Sequence, residues 1–299
     1  MGLLDRKTAV ITGANSGIGL ATAERFLAEG VERVFITGRR QRELEDAARQ
    51  LGARATTVRG DVGAPRDLDR LYGEVAAAGA GLDIVMANAG TTRVARLGEI
   101  TDDDLDTLLG TNVKGVVYTV QKALPLLNDG ASIILTGSTT ADRGRAGLSI
   151  YAATKAAVRS LARAWANEPP HRTSRVNVLV AAPTATPGSD RLAAQTDPYA
   201  SVEEFRAGRI ATIPLGRFAC AATQVRWSGS DLVEPAVGGD RGPGAKAGQV
   251  AGQKHCGMGN LDGIGETAQR DGRDPAGAEL LDGRVGVGLR GQPVAPRSG

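Results

Sequence analysis

Aromatic side chains are scarce: Phe, Trp and Tyr together make up 3% of the 299 residues. A core must therefore come from Val, Ile, Leu and Ala, the composition of parallel-sheet interiors. A hydrophobic content of 41% is enough to build one. There are only two cysteines, Cys220 and Cys256, and two histidines, His171 and His255. Their spacing fits no metal site, and neither a disulfide framework nor a histidine-based triad is expected. No run of about 18 apolar residues occurs, and the opening MGLLDRKTAVITG has no signal-peptide core, so the expectation is a cytoplasmic protein with no membrane partner. Nucleic acid is not an expected partner either, despite a pI near 9.0, because the formal charge is only +3 and no basic block is interleaved with aromatics.

What the chain does have is a repeated strand-then-helix rhythm. Lys7 to Thr12 reads as a short apolar strand; the glycine turn Gly13, Ala14, Asn15, Ser16, Gly17, Ile18, Gly19 follows, then a helical pattern to about Glu29. Glycines at such a turn either serve the turn alone or let the backbone approach a pyrophosphate held on the helix N-terminus. A second strand, Arg33 to Thr37, ends in Gly38, Arg39 and Arg40. In a dinucleotide fold an arginine at this distance favours a 2′-phosphate, hence NADP, with NAD as the alternative; an ordinary surface arginine is the competing explanation. Further units follow: helix Gln41 to Leu51, strand Ala53 to Arg59 ending at Gly60, Asp61 and Val62, a helix from Pro65 to about Gly79, and strand Leu82 to Ala87 closing in Asn88, Ala89 and Gly90. Asp61 is placed to meet an adenine amino group or to cap the Pro65 helix. The alternation predicts an α/β fold, a doubly wound parallel sheet.

Thr101 followed by three aspartates predicts an N-cap for a long helix running past Asn112 to about Leu127. Asparagine is a weak helix former, and pairing across to a strand would explain it structurally. A strand from Ala131 to Thr136 leads to Ser138; a helix from Ile150 to Ala166 carries Tyr151 and Lys155; Arg175 to Val180 is a sixth strand. Tyr151 and Lys155, four apart, share one helix face. A tyrosine working near neutrality needs its phenolate stabilised by roughly 3 pH units, or about 4 kcal/mol. An ammonium at about 4 Å supplies energy of that order at an effective dielectric near about 20. The structural alternative is a core tyrosine beside a solvated lysine.

Taken together, TGANSGIG at residues 12–19, Asp61-Val62, Asn88-Ala89-Gly90, Asn112, Ser138 and Tyr151-Ala-Ala-Thr-Lys155 stand in the order and near the spacings of one family. The chain resembles the short-chain dehydrogenase/reductases over about Leu4 to Phe218. The resemblance implies a Rossmann-type three-layer α/β/α fold and hydride exchange between a nicotinamide cofactor and a small alcohol or ketone. Tyr151 would be the acid/base, and Ser138 would bind the reacting oxygen. Lys155 would bind ribose hydroxyls and lower the tyrosine pKa, and Asn112 would hold a relay water. The cofactor contacts would come from Gly13, Asn15, Ser16, Gly17, Ile18, Gly19, Arg39, Asp61, Val62, Asn88, Ala89, Gly90, Tyr151, Lys155, Thr184 and Thr186. Helices near 101–127 and 150–166 would offer surfaces for a homo-oligomer, and Pro187 to Ile210 would be the segment covering the substrate. Arg143 and Arg145, between Ser138 and Tyr151, are either pocket residues for an anionic substrate or solvated loop residues.

Two departures stand out. The family's Pro-Gly after the sixth strand is Ala181-Ala182 here, which puts nicotinamide carboxamide positioning in question if a glycine conformation is required. After Phe218 the periodicity stops: of the 82 residues 218–299, 23 are Gly or Pro and 14 are Leu, Ile, Val or Phe. The expectation is a catalytic domain at 1–218 and an atypical tail at 219–299, poorly ordered or translated from a shifted frame, with the family's last strand missing. A cofactor-binding protein with impaired turnover is the alternative function.

Overall fold

The structure, a computed structural model, describes residues 2–79, 81–168, 174–196, 201–224 and 233–235. Its strands alternate apolar residues between two faces, as the period of two demands. In β1 (Thr8–Thr12), Ala9 and Ile11 enter one core and Val10 the other. β2 (Arg33–Gly38) does the same with Val34 and Ile36 against Phe35, and β4 (Leu82–Ala87) with Ile84 and Met86 against Val85 and Ala87. A sheet buried on both faces must be covered on both. α1 (Gly17–Ala28) and α2 (Gln41–Leu51) cover one side through Ala23, Phe26, Leu27, Leu44 and Ala47. α3 (Pro65–Ala77) covers the other through Leu68, Leu71, Tyr72 and Val75, a spacing that puts all four on one helix face. The three-layer α/β/α expectation holds.

The strands run in the order β3 (Ala55–Arg59), β2, β1, β4, β5 (Leu127–Ser138), β6 (Arg175–Ala181), all six parallel. The order reverses direction between β1 and β4, and ligands bind in the crevice at such a reversal. The long helix expected between β4 and β5 is interrupted. α4 (Asp102–Leu109), opened by a Thr101–Asp104 capping box, passes into a π-helical turn at Gly110–Lys114 and resumes as α5 (Gly115–Ala123). Asn112 sits in the π turn, the kind of irregularity that collects at functional positions. α6 (Ser149–Asn167) carries Tyr151 and Lys155.

Beyond β6 come β7 (Thr184–Ala185), α7 (Pro187–Thr196) and α8 (Val202–Ile210), then β8 (Ala219–Cys220), which pairs with β7, and α9 (Ala221–Gln224). No long parallel strand follows among the described residues. Instead the three residues of β9 (Val233–Pro235) pair antiparallel with β6. The rest of 219–299 lies outside the described residues. Cys220 ends β8, and the expectation of no disulfide framework involves Cys256 as well. Cys256 lies outside the described residues. Among them, no helix is long and apolar enough to cross a membrane.

Tyr72 illustrates the packing: buried, it donates its hydroxyl to the Thr119 carbonyl at 2.6 Å and so joins α3 to α5. Tyr72→Phe leaves that carbonyl without this partner and should lower the unfolding free energy by about 1–2 kcal/mol, read by urea denaturation.

Candidate active site

The site begins where β1 ends. Gly13 and Gly17 have φ of 65° and 60°, the left-handed region that favours glycine. Gly19 has no room for a side chain: a Cβ would stand 2.6 Å from Asn88 Nδ2 and 2.7 Å from the Gly13 carbonyl oxygen. α1 then starts with Ser16 as an N-cap that makes no side-chain capping bond, so its first amides face the crevice. Free N–H groups and positive dipole at a glycine-lined turn form a cradle for a pyrophosphate.

Thr12 and Asn88 hold this loop against its neighbours. The Thr12 hydroxyl accepts from the backbone N–H of both Asn88 and Ala89 at 3.1 Å. Asn88 Nδ2 donates to the carbonyls of Thr12 and Gly13 at 3.0 and 3.2 Å, and its Oδ1 accepts from the Thr136 hydroxyl at 3.3 Å. The ends of β1, β4 and β5 are thereby tied together. Thr12 escaped the sequence reading as an individual contributor because it looks like any strand-ending threonine.

At the end of the cleft beside β2, Arg39 reaches to 3.5 Å from Asp61, with more than half of the arginine side chain exposed. Asp61 accepts from the Gly63 N–H at 2.9 Å and does not cap α3; Asp67, in the first turn of that helix, accepts from the Asp61 N–H instead. Arg40 is committed to Glu43, which also receives Asn15 Nδ2. The Arg40 guanidinium holds the Glu43 carboxyl below the usual carboxylate range. Val62 turns into the core against Gly115, leaving its backbone to the crevice.

The cleft has a volume of about 390 Å³, and its walls include every cofactor and catalytic candidate except Gly19 and Asn112. Gly19 lies packed beneath the loop, and Asn112 stands behind Thr91, bonding its N–H and carbonyl at 2.8 and 2.9 Å. Further wall residues that sequence reasoning did not single out are Thr92, Thr140, Leu192, Gln195, Phe205 and Arg209. The last four come from α7 and α8, the segment expected to cover the substrate, braced by the Arg206–Asp190 ion pair at 2.6 Å. Arg143 and Arg145 are exposed and do not line the cleft. At Ala181-Ala182 no glycine-only backbone is needed, because among the described residues Arg6 is the one non-glycine with positive φ. Thr184 donates to the Ala182 carbonyl at 2.8 Å, and the Thr186 methyl would lie 3.2 Å from a Cβ on Gly17.

Ser138, Tyr151 and Lys155 converge at the centre. Tyr151, Ser138 and Thr92 all line the cleft, and the two hydroxyls act on the phenol. The Ser138 hydroxyl also donates to Thr140 Oγ1 and accepts from the Thr140 N–H, both at 3.1 Å. Lys155 Nζ donates to the Thr136 carbonyl at 2.8 Å and lies 5.9 Å from the Tyr151 ring centroid. Burial pushes the phenol pKa up, and the two hydroxyls pull it down. The lysine is buried as well, and loss of water pushes its own pKa down to about 8. Its ordinary value is 10.5, so between about pH 8 and 10.5 the unfolded chain binds more protons at this position and the lysine's contribution to stability rises with pH. Lys155→Met removes the buried charge. It should therefore melt higher than the wild type at pH 7, with the gap narrowing towards pH 10 in parallel thermal scans.

Comparison with known proteins agrees with this geometry. The short chain dehydrogenase family model matches residues 7–197. Oxidoreductase asL5 of Sarocladium schorii is 50% identical over 185 residues, 61% of this chain and 74% of that protein. A hydroxynaphthalene reductase-like protein of Metarhizium brunneum is 30% identical over 221 residues, 71% of this chain and 83% of that one. Among solved structures, L-sorbose reductase from Gluconobacter frateurii, complexed with NADPH and L-sorbose, superposes with a TM-score of 0.69 at 29% identity, covering 74% of this chain and 88% of that one. A Burkholderia cenocepacia short chain dehydrogenase in complex with NADP gives 0.63 at 31% identity over the same shares. Glycine cradle, strand order and family model coincide on one stretch of chain, and the protein belongs to the short-chain dehydrogenase family of oxidoreductases.

Proposed function

We propose that the chain exchanges hydride between NADP(H) and a small alcohol or ketone, with Tyr151 as the acid/base. The observation that carries this reading is that Ser138 and Tyr151 line one cleft with the glycine turn, beside a buried lysine whose ammonium lies 5.9 Å from the Tyr151 ring centroid. The nicotinamide, when bound, supplies the hydride chemistry. Tyr151 Oη gives its proton to the carbonyl oxygen in reduction and accepts the alcohol proton in oxidation. Ser138 Oγ exchanges its Thr140 partner for that same oxygen and fixes its position. Lys155 reaches the ribose hydroxyls. Asn112 acts by holding Thr91: both amide hydrogens are taken, by the Thr91 carbonyl and Thr154 Oγ1, which leaves one side-chain lone pair for a relay water.

The preference for NADP rests on Arg39. Its ion pair with Asp61 is long and exposed, so little is lost when the guanidinium turns to a 2′-phosphate, whereas Arg40 already has a carboxylate partner. Two relatives complexed with NADPH and NADP support the choice.

In fluorescence titrations the protein should bind NADPH more tightly than NADH. Arg39→Ala should weaken NADPH about tenfold or more and leave NADH nearly unchanged. In a carbonyl panel, Tyr151→Phe should lose on the order of 100-fold or more in turnover while still binding NADPH. Tight NADPH binding with no oxidation on any carbonyl would favour the alternative, a cofactor-binding protein with impaired catalysis.

A further inference from the structure

The cleft carries more positive charge than the proposed cofactor and proton transfer use. Asp61 is the one carboxylate among its described wall residues, against Arg39, Arg40, Arg191, Arg209 and Lys155. Arg39 lies beside Asp61, Arg40 is bound to Glu43, and the Lys155 ammonium is on the Thr136 carbonyl. Arg191 belongs to the glycine turn's side of the cleft. Its Nη2 and the Thr186 hydroxyl would lie 3.9 and 3.5 Å from a Cβ on Gly188, and the Thr186 methyl faces Gly17.

Arg209 differs from all of these. It is half-buried in α8, and among the described residues its side chain has no ion-pair or hydrogen-bond partner. Its guanidinium carbon lies 5.8 Å from the centroid of the Phe205 ring, one helical turn earlier, and both residues line the cleft. The helix that carries them is fixed by other groups: a Ser201–Glu204 capping box opens it, and Arg206 binds Asp190 of α7 at 2.6 Å. Arg209 is therefore held in position by contacts that leave its own charge uncommitted. A cation drawn partly out of water without a counter-charge is unfavourable until an anion meets it. A guanidinium lying on an aromatic ring keeps its N–H edge free for a planar acceptor with two oxygens.

We propose that Arg209, seated on the Phe205 ring, recognises a carboxylate of the substrate, so that the alcohol or ketone is a hydroxy or keto acid. The assignment rests on the hydride exchange proposed above and names its substrate class. The cofactor's own charges have other partners: Arg39 is placed for a 2′-phosphate, and the first amides of α1, with Arg191 nearby, for the diphosphate. A carboxylate matches a single guanidinium in charge and in plane, two oxygens against two N–H groups. Arg143 and Arg145, the anion-binding candidates in the sequence, are exposed and outside the cleft, so recognition of charge passes to α8.

The test pairs keto acids with their methyl esters, which keep the carbon frame and lose the charge. Pyruvate, acetoacetate, levulinate and benzoylformate are offered to the full chain with NADPH. The best acid should exceed its ester in kcat/KM by about tenfold or more, and Arg209→Gln should remove that advantage through KM, with the esters changing little. Arg209→Lys should restore part of it, since the charge returns without the fork. Acids no better than esters in the wild type, or a loss in Arg209→Gln shared equally by both, overturns the Arg209 assignment and leaves the hydride reading standing. A matching loss of NADPH affinity in Arg209→Gln gives the guanidinium to the cofactor and overturns the assignment too. If no carbonyl turns over, the same keto acids are titrated into the NADPH complex and followed by its fluorescence. Saturable binding that Arg209→Gln abolishes keeps the carboxylate site while the hydride reading fails, and absence of binding to the wild type overturns both.

Discussion

The Thr12–Asn88 contact is the constraint on which the cleft depends. Parallel strands reach their carboxyl ends with unpaired backbone groups, and at the reversal between β1 and β4 those ends must stay together without a further strand to bridge them. One threonine hydroxyl and one asparagine amide meet that need, satisfying backbone groups of Thr12, Gly13, Asn88 and Ala89. Once Asn88 is fixed, the space beside it admits no side chain, so Gly19 must be glycine and the start of α1 can come within reach of a diphosphate. The same tie sets the direction in which Ala89 to Thr92 leave the sheet. The glycine turn and the segment from Ala89 to Thr92 are thus aimed by one set of hydrogen bonds.

A second constraint is desolvation. Lys155 is buried to 4% exposure with its ammonium on a main-chain carbonyl. Burial disfavours the charged forms of lysine and tyrosine alike, raising the phenol pKa and lowering the ammonium pKa. Starting from 10.0 and 10.5, the two pKa values are driven apart: the neutral phenol and the neutral amine are both favoured, and keeping the ammonium charged costs folding stability. That cost is borne by the apolar layers on either side of the sheet. Neutral hydroxyls suit such a site as phenol partners because they stabilise an anion without themselves needing a counter-charge.

The departures from the family pattern prove uneven in consequence. Alanines at 181 and 182 fit without a left-handed backbone, so the glycine normally found there is not a conformational necessity in this chain. Ala181 stands opposite Ser138 in the β5–β6 register, and the short pairing of β7 with β8 brings the chain back beside the end of the sheet after α7 and α8. At the far edge, β9 pairs antiparallel with β6.

Local pattern was enough to read most of the fold. α2 and β4 begin and end where the periodicity put them, and the other strands and helices to residue 181 differ by a few residues at their ends. The reason is that periods of 2 and 3.6, glycine turns and capping residues act between neighbours along the chain. The π turn at Asn112, the commitment of Arg40 to Glu43, and the pull of burial on Tyr151 and Lys155 were not legible in that way. Sequence by itself determined which residue types could do the chemistry and the order in which they come. Only the tertiary structure decided that Asn112 grips Thr91 and reaches Thr154, because such pairings depend on distances between elements far apart in the chain, which no local periodicity encodes.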